Sequence, residues 1–140
     1  MTQRRLAREA ALETLYRLEL VSDEPDDVIE EILNRRNPSE EAENYLRRVT
    51  QTVINNGEEI DRALKRHIKH WRLDRLRMLD RAILRIACAE ILYFDDVPWK
   101  VSINEAVDIA KKFGDDDSGR FVNGVLDGVC KELPVTEERD

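Results

Sequence analysis

Apolar residues recur at intervals of three and four along almost the whole chain, and no segment shows the alternation at two of a half-buried strand. Ala11, Leu12, Leu15 and Leu18 predict a first helix over residues 3–20, and Val28, Ile29, Ile32 and Leu33 a short second one after Pro25. Asn37-Pro38-Ser39-Glu40 reads as the start of a third, with Asn37 as cap, Pro38 in the first turn and Glu40 three residues on. Its buried stripe is Ala42, Tyr45, Leu46, Val49 and Val53, and Asn55-Asn56-Gly57 breaks or kinks it. Ile60, Leu64 and Ile68 mark a fourth helix. Trp71-Arg72-Leu73-Asp74 looks like a corner in which Asp74 caps the next element. That element carries Leu76, Leu79, Ile83, Leu84, Ile86, Ala87 and Ile91, an arc wider than one face, so it is the expected central helix. Asp95-Asp96-Val97-Pro98 ends it, and Ser102-Ile103-Asn104-Glu105 reads as a capping box opening the sixth helix, which Gly114 stops. Asp115-Asp116-Asp117-Ser118 offers caps for a last helix burying Val122, Val125, Leu126, Val129 and Leu133. The expectation is an all-α chain of about seven helices in antiparallel bundles, with one domain over 1–134 and a polar tail over 135–140.

Composition narrows the class further. A chain of 140 residues can hide roughly 68–70% of its surface on folding, so a true core is available. Five glycines and four prolines are too few for a turn-dense sandwich or barrel. No apolar run approaches the roughly 18 residues of a membrane span, and the charged amino terminus has no apolar signal core behind it. Export and membrane association are therefore not expected, and the expected location is cytoplasmic. Cys88 and Cys130 fall inside amphipathic stretches and read as small core residues of a reducing compartment.

The net charge of −7 speaks against nucleic acid, but its distribution does not. Between Arg62 and Arg85 there are nine basic residues (Arg62, Lys65, Arg66, Lys69, Arg72, Arg75, Arg77, Arg81 and Arg85) against Asp74 and Asp80. The stretch from Glu19 to Glu31 contains seven acids and no base, and Arg4, Arg5 and Arg8 open the chain. Phosphate responds to local potential rather than to the sum. Such runs also serve simply to solvate helix faces.

No phosphate-cradling glycine loop or nucleophile elbow is present. His67 and His70, three apart, are at most half of a metal site, and neither cysteine has a Cys-x-x-Cys partner, so no metal or cofactor is expected. Glu90, the one acid within the central apolar helix, reads as a hydrogen-bonding tie to a loop or cap rather than a catalyst. Gly124 and Gly128, one turn apart, suggest close helix packing. The positive signs point to binding. Arg4, Arg5 and Arg8 share a quadrant at a helix amino end that is already partly positive, which suits either an anionic ligand or a solvated, frayed end. Phe121, on the shoulder of the last helix's buried stripe, could belong to the core or could present a ring beside Arg120 for base stacking.

Four blocks in order resemble the NusB family of bacterial transcription antitermination factors over residues 4–133. They are Arg5-Leu6-Ala7-Arg8-Glu9-Ala10-Ala11 with Leu15-Tyr16; Asp80-Arg81-Ala82-Ile83-Leu84-Arg85-Ile86-Ala87 ending at Glu90; Val97-Pro98-Trp99-Lys100-Val101-Ser102-Ile103-Asn104-Glu105-Ala106-Val107; and Lys112-Phe113-Gly114 with Phe121-Val122-Asn123-Gly124-Val125-Leu126-Asp127. Residues 22–60 match by helical pattern only. The resemblance implies two three-helix bundles packed across each other plus a short extra helix, with no catalysis. It implies pairing with NusE, a ribosomal protein, on boxA RNA of ribosomal RNA transcripts, and action with NusA, NusG and RNA polymerase to suppress Rho-dependent termination. Carried over residue by residue, the RNA surface comprises Arg4, Arg5 and Arg8, where Leu6 interrupts the fuller arginine run of some members. It also takes in Phe121, with an adjacent Asp117 in a loop that tunes the complex, and Arg120 beside the ring is added from its position alone. The partner face comprises Tyr16, Asp74 and Asp80, acids suited to a basic ribosomal protein, with Arg75, Arg77 and Arg81 around them.

The expected function is thus a non-enzymatic RNA-binding adaptor, whose exposed partner face could form a homodimer when free. Two other classes fit the same helices. One is the RNA-binding amino-terminal part of ribosomal RNA 5-methylcytosine methyltransferases, disfavoured because no cofactor-binding domain follows Asp140. The other is a helical scaffold with no RNA role.

Overall fold

The computed structural model describes residues 2–68 and 73–134. Among these there are seven α-helices and no strand: α1 (Gln3–Leu20), α2 (Pro25–Arg36), α3 (Glu40–Asn55), α4 (Gly57–Lys65), α5 (Met78–Tyr93), α6 (Trp99–Phe113) and α7 (Asp116–Lys131), with a 3₁₀ turn at Leu73–Arg75 before α5. None of the helices is long and apolar enough to cross a membrane. The expected tail over 135–140, and Trp71, Arg72 and His70 of the expected corner and histidine pair, lie outside the described residues.

α1 packs on α2 and α3, while α5, α6 and α7 contact one another, and α5 also lies against α1, α3 and α4. The wide apolar arc of α5 explains this position, since Ala82, Ile83, Leu84, Ile86, Ala87, Cys88, Ala89 and Ile91 are all buried. A helix facing neighbours on several sides needs more than one apolar stripe. The Cys88 thiol is wholly enclosed, and burial pushes its pKa up to about 12, so it stays a protonated core group.

The helix starts follow local chemistry, with three corrections. Thr2 and Asp115 cap α1 and α7 by accepting from the Arg5 and Ser118 amides at 3.0 and 2.8 Å. The third helix is capped by Ser39, whose Oγ accepts from the Ala42 amide at 3.1 Å, not by Asn37. Asn37 instead closes α2 in the left-handed region (φ 46°), its amide donating to the Leu33 carbonyl at 2.8 Å. Asparagine tolerates that conformation better than most residues with a side chain. Asp74 lies in the 3₁₀ turn and does not cap α5, whose cap position is Arg77.

The third correction concerns Ser102 and Glu105, which do not form a capping box. α6 begins a turn earlier, after Pro98, whose fixed φ and missing amide suit a helix entry. Both side chains are claimed by other helices. Gly114 does end α6, but without a positive φ: a Cβ there would fall 2.9 Å from the Ala110 carbonyl oxygen and 2.8 Å from Ser118 Oγ, so close approach is what favours glycine. Of the expected small pair in α7, only Gly128 is a close-packing point, since its Cβ would lie 2.5 Å from His67 Nδ1, whereas Gly124 faces open space.

Glu90 supplies the polar centre. It is 1% exposed, and its Oε2 accepts from Arg8 Nε at 2.7 Å and from the Tyr45 hydroxyl at 2.6 Å, while Oε1 accepts from Ser102 Oγ at 2.8 Å. The expected tie is therefore made, but to side chains of α1, α3 and α6 rather than to a loop or cap. Burial, then the Glu90 charge, pushes the Tyr45 phenol well above its usual range, which keeps it a donor. Arg8 also reaches Glu105 Oε1 at 3.1 Å.

Removing one partner of a buried ion pair leaves the other charge uncompensated, at a cost of about 3–5 kcal/mol. Glu90→Ala is therefore expected to lower unfolding free energy by about that amount in a urea titration followed by circular dichroism. A loss below about 1 kcal/mol would show that the four helices do not depend on this carboxylate.

Candidate nucleic-acid and partner interface

The amino end of α1 brings its three arginines to different depths. Arg8 is 3% exposed and held by Glu90 and Glu105. This corrects its place in the expected RNA surface, because a guanidinium enclosed by two carboxylates has no face left for phosphate. Arg5 is half-buried; its Nε donates to Glu105 Oε2 at 2.8 Å and its Nη2 to Asp108 Oδ2 at 3.0 Å. Glu105 thus links Arg8 below to Arg5 above, and its hydrogen bond is the main reason the Arg5 pKa is raised. Arg4 stands furthest out, pairing with Asp96 at 3.0 Å across a contact whose side chains are 38% and 46% exposed. All three arginines therefore sit in internal ion pairs, but only those of Arg4 and Arg5 reach the surface. An exposed pair such as Arg4–Asp96 is worth about 0–1 kcal/mol, so another anion can replace that carboxylate at small cost.

Arg48 of α3 joins this surface, and no local pattern in the sequence marks it out. Its Nη1 and Nη2 donate to Asp96 at 3.1 and 2.7 Å, and its guanidinium carbon lies 3.8 Å from the Phe94 ring centroid. Arg48 stands next to Val49 of the buried stripe and reads as an ordinary solvated residue, because its proximity to Arg4 arises only from the packing of α3 on α1.

Phe121 lies elsewhere. It is half-buried, packs on the core and lines a recess of about 380 Å³ with Arg75, Leu76, Arg77, Asp80, Asp115, Asp117 and Ser118. Both readings of its ring therefore have a structural basis. None of Arg4, Arg5 and Arg8 lines that recess. Arg120 is exposed and paired with Asp117, which belongs to the first turn of α7 rather than to a loop.

The expected partner residues also separate. Tyr16 is 39% exposed on α1, one turn before Glu19. Glu19, Asp61, Lys65, Leu73, Asp74, Arg81 and Arg85 line an open recess of about 670 Å³. Asp80 does not belong there. It is 6% exposed in the first turn of α5, with Arg77 Nε 3.4 Å away, where a carboxylate complements the partial charge of the helix end. This corrects its place as a surface acid awaiting a basic partner.

The basic run is less cationic than its sequence suggests. Arg81 and Arg85 both meet Glu19 of the acidic stretch, and Arg85 also forks onto Asp61 at 2.9 and 3.0 Å. Hydrogen bonding from Arg81 is the leading cause of a lowered Glu19 pKa. Arg66 pairs with Glu132, whereas Arg75 makes no ion pair among the described residues.

Comparison with known proteins is consistent across sequence and structure. The family model described as NusB family matches residues 5–131. Transcription antitermination protein NusB of Bacillus licheniformis is 41% identical over 131 residues, 94% of this chain and 98% of that protein. The protein of the same name from Bacillus mycoides is 41% identical over 132 residues, 94% of this chain and 99% of its own length. Among solved structures, T. maritima NusB superposes with a TM-score of 0.89 at 36% identity, covering 99% of this chain and 97% of that one. A chain from the crystal structure of antitermination factors NusB and NusE in complex with dsRNA gives a TM-score of 0.86 at 30% identity, covering 95% and 99%. The match spans all seven helices of this bundle, and the chain belongs to the NusB family of transcription antitermination factors, which are not enzymes.

Proposed function

We propose that this chain is an RNA-binding adaptor that pairs with NusE, a small basic ribosomal protein, on the boxA element of ribosomal RNA transcripts. With NusA and NusG the pair helps RNA polymerase resist Rho-dependent termination in the cytoplasm. The observation that carries this reading is the arginine face at the amino end of α1, on a chain aligned over 95% of its length with one from a NusB–NusE–dsRNA structure. Arg4 and Arg5 hold the transcript's phosphates, supported from below by Arg8 through Glu105. Phe121 offers a ring for a base, with Arg120 beside it. Tyr16 and the exposed Asp74 face the basic partner, while Asp80 positions Arg77. When the partner is absent, exposed Tyr16, Leu20 and Val21 give a surface through which two copies associate as a homodimer.

Each phosphate engaged on a single strand contributes about −0.7 to the slope of log K against log salt. Replacing Arg4 and Arg5 together by Ala should flatten that slope by about 1.4 in filter binding with boxA RNA. An unchanged slope would remove both arginines from the RNA surface. Asp74→Lys should weaken association with the basic partner about tenfold in titration calorimetry without changing the thermal melt. Equal affinity for the two proteins would place the partner away from the Glu19–Asp74 recess.

A further inference from the structure

Two arginines from different helices close on one carboxylate. Arg48 Nη1 and Nη2 reach the two oxygens of Asp96 at 3.1 and 2.7 Å, and Arg4 Nη2 reaches Asp96 Oδ2 at 3.0 Å. Both guanidiniums lie on an aromatic floor, Arg4 4.6 Å from the Tyr45 centroid and Arg48 3.8 Å from that of Phe94. The two rings meet edge to face at 5.7 Å and 89°. Phe94 is buried, and the Tyr45 hydroxyl is fastened to Glu90, so the core fixes the floor. The charged groups above it remain open to water, with Arg48 40% exposed and Asp96 46%.

Such an arrangement is a preformed anion clamp. Two guanidinium forks held by ring contacts can receive the two non-bridging oxygens of a phosphodiester as they receive the two oxygens of a carboxylate. The α5–α6 connection places the chain's own Asp96 in that position, and its carboxyl is held well below the usual range, chiefly by hydrogen bonding from Arg48. It therefore stays ionised at physiological pH and competes by charge, not by titration. Beside Arg4 runs a recess of about 360 Å³ with Pro98 and Val101 in its wall, Val101 being 43% exposed, which gives an attached nucleoside an apolar surface.

We propose that Arg4 and Arg48 together form a phosphodiester site for single-stranded RNA, occupied in the free protein by the Asp96 carboxylate that the RNA backbone displaces. The site deepens the RNA-binding reading above and rests on it. It extends the RNA surface from α1 onto α3 and gives Asp96 the role of an internal competitor.

The test is fluorescence anisotropy with a labelled boxA oligonucleotide over a range of KCl concentrations, each variant checked by thermal melt. Arg48→Gln should weaken binding about fivefold and flatten the salt slope by about 0.7. Asp96→Asn should tighten binding about fivefold, clearly more than Asp95→Asn, which removes the same charge from an exposed neighbour. Arg48→Lys keeps the charge but not the fork and should retain the slope with reduced affinity. In the double variant Arg48→Gln/Asp96→Asn most of the gain should vanish. Equal effects of Asp96→Asn and Asp95→Asn, an unaltered slope in Arg48→Gln, or undiminished affinity in Arg48→Lys would overturn the clamp. If Arg4→Ala/Arg5→Ala still flattens the slope in that case, the RNA reading survives without the clamp. If that pair is silent too, both fall.

Discussion

One buried carboxylate sets the order of everything above it. Glu90 is surrounded by apolar side chains of the central helix, where an unpaired charge would be very costly, and three partners from α1, α3 and α6 converge on it. Each of those bonds fixes a rotation as well as a distance. The Ser102 bond sets the face that α6 turns towards α5, the Tyr45 bond sets how deep α3 sits, and the Arg8 bond orients the amino end of α1. Apolar packing alone tolerates small slides of one helix on another, whereas a shared carboxylate with short hydrogen bonds tolerates few. The surface arginines inherit that definition, since Arg8 and Arg5 meet on Glu105 and Arg4 stacks on Tyr45.

This arrangement sorts the arginines by job in a way their spacing hides. Arg4, Arg5 and Arg8 share a quadrant of α1, yet Arg8 faces the core acid, Arg5 bridges two acids at the rim, and Arg4 meets an exposed carboxylate. Depth, not sequence interval, decides which of them can exchange partners. A guanidinium at 3% exposure has already lost its water and gained two carboxylates, so releasing it costs the whole buried pair. One above a third exposed keeps much of its hydration, and its pair is nearly balanced against solvent.

Much of the fold was legible because it depends on local rules. The extent of α1, the break at Asn56–Gly57, the Asp115 cap and the many-sided burial of α5 all follow from periodicity and capping chemistry. The misreadings share a cause. Asn37, Ser102 and Glu105 have side chains that match a local cap motif, but the bonds they make are set elsewhere: by the left-handed closure of α2 for Asn37, and by Glu90 and two arginines for the other two. The same holds at the interface. Tyr16 and Asp74 could be read as exposed, while the enclosure of Arg8 and Asp80 depends on which helices close over them, and Arg48 meets Arg4 only through α1–α3 packing. The family resemblance pointed to residues at the amino end of α1 without revealing which of their charged groups are turned inward.

The opposed charge blocks of the sequence acquire a physical meaning from the same geometry. Glu19 of the acidic block lies against Arg81 and Arg85 of the basic one, so much of the apparent segregation is cancelled once α1 lies on α5. At a net charge of −7, attraction of a polyanion depends on local cationic patches, and the arginines with exchangeable partners at the amino end of α1 form one of them. Weak cationic grip with general repulsion favours ligands that add shape or stacking to charge, and it leaves room for a basic protein partner to supply the missing attraction. On this view, the acidity of the chain is part of its selectivity: an adaptor with a strongly basic surface would hold any transcript, whereas one whose few arginines are held by its own carboxylates must be matched before it binds.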